Sequence, residues 1–399
     1  MKRIGNLYQQ ICSIDNLRLA HKNARKGRGW YQEVKMVDGN LDYYLQDLQE
    51  MLRTHTYHTS QYTSFIRHER GKDREIFKLP YYPDRICQWA ILQVIEPYIL
   101  RNLTPYTYSA IPGKGIHAAL HDVQRAMWTD IENCQYCLKL DVRKYYPSIN
   151  HKILKEKFRK IFKDPELLWI LDEIIDSIST YPATAENIEI LQRLGVSINI
   201  VTDTQGREFV EGVGIPIGNY LSQYCGNFYL SAFDHWIKEE KQVKYAFRYM
   251  DDIVIFGNSK ERLHELRKEI DEYFQTELKV TIKSNWQVFP SYVRGVDFVG
   301  YRTFLHYTLL RKSCCITFKK KMLAFSDKRV KNLSPNFNEW CSFNSYLGVL
   351  KHCDSYRLYL KYAQPNVEYM YNYYLKEVKG NAEICKNKEL SRKGVAVRD

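Results

Sequence analysis

At 399 residues, 45% apolar and 14% aromatic, the chain has enough hydrophobic side chains for a large core and for two or three subdomains, which excludes a disordered tail or a disulfide-stapled miniprotein. Its 59 basic against 46 acidic residues leave a net charge of +13, and Arg311 to Asp399 alone holds 18 basic and 8 acidic residues, so a polyanionic partner is expected. No long apolar run and no signal-peptide pattern occurs; the expectation is a cytoplasmic protein with no membrane partner. The cysteines are scattered. Cys134-x-x-Cys137 has no second such pair and Cys314-Cys315 are adjacent, so reduced thiols are expected rather than a zinc site.

In chain order, Leu7, Ile11, Ile14, Leu17 and Ala20 repeat at helical spacing, and so do Leu41, Tyr44, Leu45, Leu48, Met51 and Leu52. Residues 1–66 therefore read as a helical extension. From Arg67 the chain turns strand-like and basic, with Lys72 and Arg74 ahead of Pro80, and Asp84 stands where a helix N-cap would. The glycine-rich stretch around Lys114 lacks the remaining residues of a phosphate-binding loop. A short strand then ends on Asp141, a tight aromatic turn through Tyr145-Tyr146 follows, and a helix begins near Asn150.

Beyond a polar insert with a turn at Thr202 to Gly206 comes Gly214-Ile215-Pro216-Ile217-Gly218, continuing through Gln223 to a helix expected over Tyr224 to Lys238. Two apolar runs then flank Tyr249-Met250-Asp251-Asp252, the pattern of a β-hairpin with two acids at its tip. Alone, that pair reads equally as an ordinary Asp-Asp turn. With Asp141 on another strand it becomes a carboxylate cluster, costly to bury unless a cation compensates it. Clustered carboxylate oxygens call for a hard ion, Mg²⁺ or Mn²⁺, and two such ions serve phosphoryl transfer by clamping the attacking hydroxyl and the leaving pyrophosphate. A helix over Lys260 to Leu278 and basic, tyrosine-rich helices over Phe318 to Val330 and Trp340 to Tyr362 complete the chain. The late aromatics suit either a nucleic-acid face or a helical core.

Asp141 with Tyr146 resembles motif A of the reverse transcriptases, and Tyr249 to Asp252 resembles their motif C. Arg74-x-Ile76 followed by Pro80 and Asp84-Arg85-x-x-Gln88-x-Ala90 looks like the fingers motifs of the group II intron type; Leu278 to Ser284 is similar to motif D and Gly295 to Tyr301 to the primer-grip motif E. The resemblance implies an α+β right-hand polymerase: N-terminal extension 1–66, fingers 67–130, a palm on an antiparallel sheet over 131–305, and a helical thumb over 306–399. It implies an RNA-directed DNA polymerase with two Mg²⁺ ions (or Mn²⁺) at Asp141, Val142, Asp251 and Asp252. Lys72 and Arg74 would hold the triphosphate, Tyr146 would exclude a 2′-hydroxyl, and Ile217, Gly218 and Gln223 would lie along the nucleotide. Lys283 would protonate pyrophosphate, or is a surface lysine.

Most members resemble Gly-x-Pro-Gln-Gly where this chain has Ile217 in place of the glutamine. That departure is similar to the reverse transcriptases of diversity-generating retroelements, which copy template adenines with errors. The resemblance implies template RNA, an RNA/DNA duplex and dNTPs as partners, with a small basic accessory protein. The alternatives are an antiphage-defence reverse transcriptase using a structured noncoding RNA, and an inactive nucleic-acid-binding scaffold. The intact acids argue against the scaffold.

Overall fold

The computed structural model describes residues 3–69 and 71–379, so residues 380–399 of the expected thumb lie outside the described residues. Helices and antiparallel strands are mixed throughout, the α+β class expected of a right-hand polymerase. The described residues of 1–115 and 136–289 form one compact unit, and those of 116–135 and 290–399 a second. The segment 116–135, expected to fall in the fingers and the start of the palm, thus belongs with the C-terminal unit. Among the described residues no helix is long and apolar enough to cross a membrane.

In the larger unit, the N-terminal periodicity becomes real helices. Leu17 and Ala20 are buried on Ile14–Ala24, and Leu45, Leu48 and Leu52 on Leu41–Arg53. Ser13 caps the first by accepting from the Asn16 N–H, a bond that stabilises a helix end by about 1 kcal/mol. These faces share one core with Ile91 and Ile95 of Ile86–Leu100 and with Leu138 and Ile253 of the central sheet, so the extension is part of the unit rather than an appendage. Asp84 does not cap the Ile86–Leu100 helix. Its carboxylate is fully buried and accepts from the Tyr57 hydroxyl at 2.8 Å and the Ser60 N–H at 3.0 Å; that pull from an upstream segment outcompetes the local cap.

Strands β1 (Thr63–Glu69) and β2 (Lys72–Lys78) form a hairpin that starts four residues earlier than the basic composition suggested. The central sheet contains β3 (Tyr136–Asp141); β4 (Ile200–Thr202) and β5 (Glu208–Val210) are the hairpin of the polar insert. Next come β6 (Ala246–Tyr249), β7 (Asp252–Gly257) and β8 (Gln287–Pro290), and the central order is β6-β7-β3-β8. Leu138 and Leu140 stand opposite Ile255 and Ile253, and the same register puts Asp141 opposite Asp252. Because side chains alternate along a strand, a slip of one residue would turn these leucines out of the core, so the buried face fixes the register of the acids.

The Leu278 to Ser284 stretch meets the chain just past β3 through one bridge, Val142 to Ile282. Flanking it, the Lys283 N–H donates to the Asp141 carbonyl and the Arg143 N–H to the Thr281 carbonyl, both at 2.8 Å.

The smaller unit holds a meander of β9 (Val296–Phe298), β10 (Tyr301–Thr303) and β11 (Thr308–Leu310). Its first turn, Val299-Gly300, has φ of 45° and 95°, the left-handed pair a tight hairpin needs. The helices Lys312–Val330 and Phe337–Leu350 bury Phe318, Met322, Phe325, Phe343 and Leu350 together, so this aromatic stretch is largely core. The helix expected over Trp340 to Tyr362 breaks after Leu350, where the Ser355 hydroxyl donates to the Leu350 carbonyl at 2.7 Å.

Candidate active site

Asp141 is the last residue of β3, and Asp251 sits in the two-residue turn between β6 and β7. The turn brings the two carboxyl groups within hydrogen-bonding reach of each other. Such a bond needs a proton, because two ionised carboxylates only accept. Asp251 is pushed up to about 7, first by burial and then by the Asp141 charge, while Lys283 pulls it the other way. Asp141 Oδ1 is buried with no donor facing it. Acceptors that only a proton or a cation can satisfy fit a hard divalent ion well.

The third acid differs. Asp252 lies on β7 opposite Asp141, with its Oδ1 3.4 Å from Lys139 Nζ. Lys139 is two residues before Asp141 and shares its face by strand alternation, a signal present in the sequence but not read there. Among the described residues no three His, Cys, Asp or Glu side chains converge as a ready metal cluster. The structure thus supplies two adjoining carboxylates and one turned toward a lysine. Val142 is fully buried; the bonds on either side of its bridge use the carbonyls of Asp141 and Thr281, not its own. The Lys283 ammonium forms an ion pair with Asp141 Oδ2.

Tyr146 lies beside this pair. Its hydroxyl is 3.6 Å from Met250 Sδ, and burial, then the Asp251 charge, raises its pKa well above the ordinary phenol value. The Arg74 charge of β2 acts on the same phenol in the opposite sense. The Ile217 carbonyl accepts from the Phe77 N–H at 2.8 Å, tying the Gly-x-Pro-Ile-Gly stretch to β2. Gly218 follows at φ +130°, and a Cβ there would collide with the Phe77 carbonyl, so the glycine serves strand packing as well. Gln223 is exposed on the first turn of the Tyr220–Tyr229 helix. The Lys72 side chain lies outside the described residues. Lys114 reaches the carbonyls of Pro105 at 2.5 Å and Thr107 at 3.3 Å, so it organises its own loop. Cys134 and Cys137 are buried, and neither is in a disulfide.

An antiparallel sheet that presents paired carboxylates at a strand end and a hairpin turn, with a tyrosine alongside, has the make-up of a metal-dependent nucleotidyltransferase. Residues 66–303 match the family model described as reverse transcriptase (RNA-dependent DNA polymerase), more than half of the chain, and the protein belongs to that family. Protein YkfC of Escherichia coli (strain K12) is 24% identical over 294 residues, 67% of this chain and 73% of that protein. Apo telomerase from Candida tropicalis, truncated from the C-terminal domain, is similar with a TM-score of 0.43 and 11% identity, over 65% of this chain and 58% of that one. Telomerase from Candida albicans in complex with a TWJ fragment of telomeric RNA has a TM-score of 0.43 and 13% identity, over 71% of this chain and 52% of its own. The chain therefore spans little more than half the length of these telomerase chains.

Proposed function

We propose that the protein extends a primer with dNTPs on an RNA template by two-metal phosphoryl transfer. The observation that carries this reading is the meeting of Asp141 and Asp251 at the open end of the central sheet, with Asp141 Oδ1 buried and lacking a donor. Asp141 and Asp251, with Asp252 and the Val142 carbonyl, would hold the ions. Bound there, Mg²⁺ or Mn²⁺ supplies the charge that activates the primer 3′-hydroxyl and stabilises leaving pyrophosphate.

The chain's own residues do the rest. Arg74 forks onto triphosphate oxygens, with Lys72 two residues before it. Tyr146, held by its contact with Met250, presents a ring that excludes a 2′-hydroxyl. Gly218 lets the backbone approach the nucleotide, Ile217 offers it an apolar surface where an amide would donate, and Gln223 faces outward toward the duplex. Lys283 delivers a proton to pyrophosphate once it leaves Asp141. Ile217 further supports error-prone copying of a retroelement template, with a small basic accessory protein as partner. Incorporation of dNTPs on a primed RNA template by the purified protein tests this reading; no incorporation with either Mg²⁺ or Mn²⁺ contradicts it.

A further inference from the structure

Arg248 is 2% exposed, yet every arm of its guanidinium is engaged. Nε donates to Asp234 Oδ1 at 2.7 Å and Oδ2 at 3.0 Å, and Nη2 donates to the same carboxylate and to the Asn227 carbonyl at 3.1 Å. Nη1 donates to Asn227 Oδ1 at 3.3 Å and, at 3.0 Å, to the carbonyl of Met250. That carbonyl belongs to the peptide group whose N–H is that of Asp251. The clasp is itself anchored: the Thr107 hydroxyl donates to Asp234 Oδ2 at 3.1 Å, and the Asn227 amide donates to the Ser109 carbonyl.

The turn it grips is a demanding one. Met250 has φ +58°, a left-handed conformation that costs a side-chain-bearing residue on the order of 1 kcal/mol and persists only when its surroundings hold it. Gly226 leaves the space Met250 needs, since a Cβ there would come within 3.1 Å of its sulfur. A buried ion pair is not needed for stability as such, because well-packed apolar residues of similar volume often serve as well or better. A lysine would also neutralise Asp234. Only the planar fork can hold Asp234 along one edge and a main-chain carbonyl with the other arm.

We infer that Arg248 is a positioning residue for the polymerase reaction: through Nη1 it fixes the Met250-Asp251 peptide, and with it the direction in which Asp251 faces Asp141. Asp234 and Asn227 aim Arg248. This rests on the polymerase reading above, and it gives the arginine before the Tyr-Met-Asp-Asp stretch a task distinct from binding nucleic acid, which its burial forbids.

The test compares three variants of the full chain with wild type in primer extension and in direct Mn²⁺ binding, read from the signal of free Mn²⁺ without substrate. In Arg248→Lys, kcat falls roughly 10- to 100-fold while KM for dNTP and Kd for primer-template stay within about twofold, the split expected of a misplaced catalytic group. Mn²⁺ binding weakens at least severalfold. Arg248→Met with Asp234→Leu buries no lone charge, and shows the same loss in a folded protein; it is read in place of Arg248→Lys if that variant is insoluble. Thr107→Val strips one bond from Asp234 but leaves the Met250 contact, so it lowers melting temperature and leaves kcat near wild type. Wild-type kcat and Mn²⁺ affinity in either arginine variant overturns the inference, and so does an equal loss in Thr107→Val, which would make the clasp structural only. An inactive wild type instead refutes the polymerase reading itself.

Discussion

Asp141 and Lys283 are joined twice: the Lys283 N–H donates to the Asp141 carbonyl at 2.8 Å, and the Lys283 ammonium pairs with the Asp141 carboxylate. The backbone bond places the lysine, and the side-chain pair sets a cation on an acid that the proposed function assigns to a metal ion. On that proposal Lys283 and Mg²⁺ would compete for one carboxylate, and the ammonium given up by Asp141 would serve pyrophosphate. In Lys283→Ala the half-saturating Mg²⁺ concentration falls severalfold, because the competitor is gone, while the maximal rate falls roughly 100-fold or more for want of a proton donor. Titrating single-nucleotide incorporation against Mg²⁺ separates the two. An unchanged maximal rate would leave Lys283 only its pairing role.

A proton competes for the same place. With Asp251 raised from 3.8 to about 7, the folded metal-free protein binds more protons than the unfolded chain between those values. Stability measured in EDTA therefore falls as pH rises through this window, and flattens above it. For the same reason the half-saturating Mg²⁺ concentration rises as pH drops below about 7, by up to roughly tenfold per unit. Melting curves at several pH values check the first part, and Asp251→Asn removes the dependence that comes from this pair.

Tyr146 predicts sugar choice. Its ring is fixed by the hydroxyl contact to Met250 at 3.6 Å and by an edge-on packing against Tyr145, with ring centres 5.8 Å apart. Tyr146→Ala opens that space and admits ribonucleotides, raising NTP use relative to dNTP by at least tenfold, the discrimination that about 1.4 kcal/mol of steric exclusion provides. Competition between labelled NTP and dNTP measures it, and strictness equal to wild type would make Tyr146 a packing residue.

Ile217 predicts fidelity. Its main chain is committed to Phe77, so a substitution there changes the side chain that the proposed function sets against the nucleotide without uncoupling the stretch from β2. A hydrogen bond restored by Ile217→Gln is worth on the order of 1 kcal/mol, a several-fold effect. Misincorporation opposite template adenine falls by that factor, and more than opposite the other bases. An adenine bias unaltered in the variant would place its origin at another residue.

What the sequence made legible follows from how each feature is encoded. The acids of β3 and of the β6–β7 turn could be placed because apolar runs on either side dictate strands, and the turn residues dictate the hairpin. The insert hairpin was readable from Thr202 to Gly206 for the same reason. Partnerships between distant segments were not. Nothing local announces that Asp84 is held by Tyr57 and Ser60 rather than capping its own helix, or that 116–135 joins the C-terminal unit. Nor does anything local announce that Arg248, next to Tyr249-Met250-Asp251-Asp252, is buried against Asp234. The late aromatics were ambiguous because Phe343 has the same composition signal whether it stacks on a base or, as here, packs on Phe325.

Asp141 and Asp251 together make the proposed polymerase centre, and the decisive measurement is primer extension with Asp141→Ala. On a primed RNA template with dNTPs and Mg²⁺, wild type extends the primer and Asp141→Ala loses extension by several orders of magnitude. RNA affinity, which rests on distributed basic contacts, stays within a few-fold of wild type. Extension by Asp141→Ala at the wild-type rate would contradict the account.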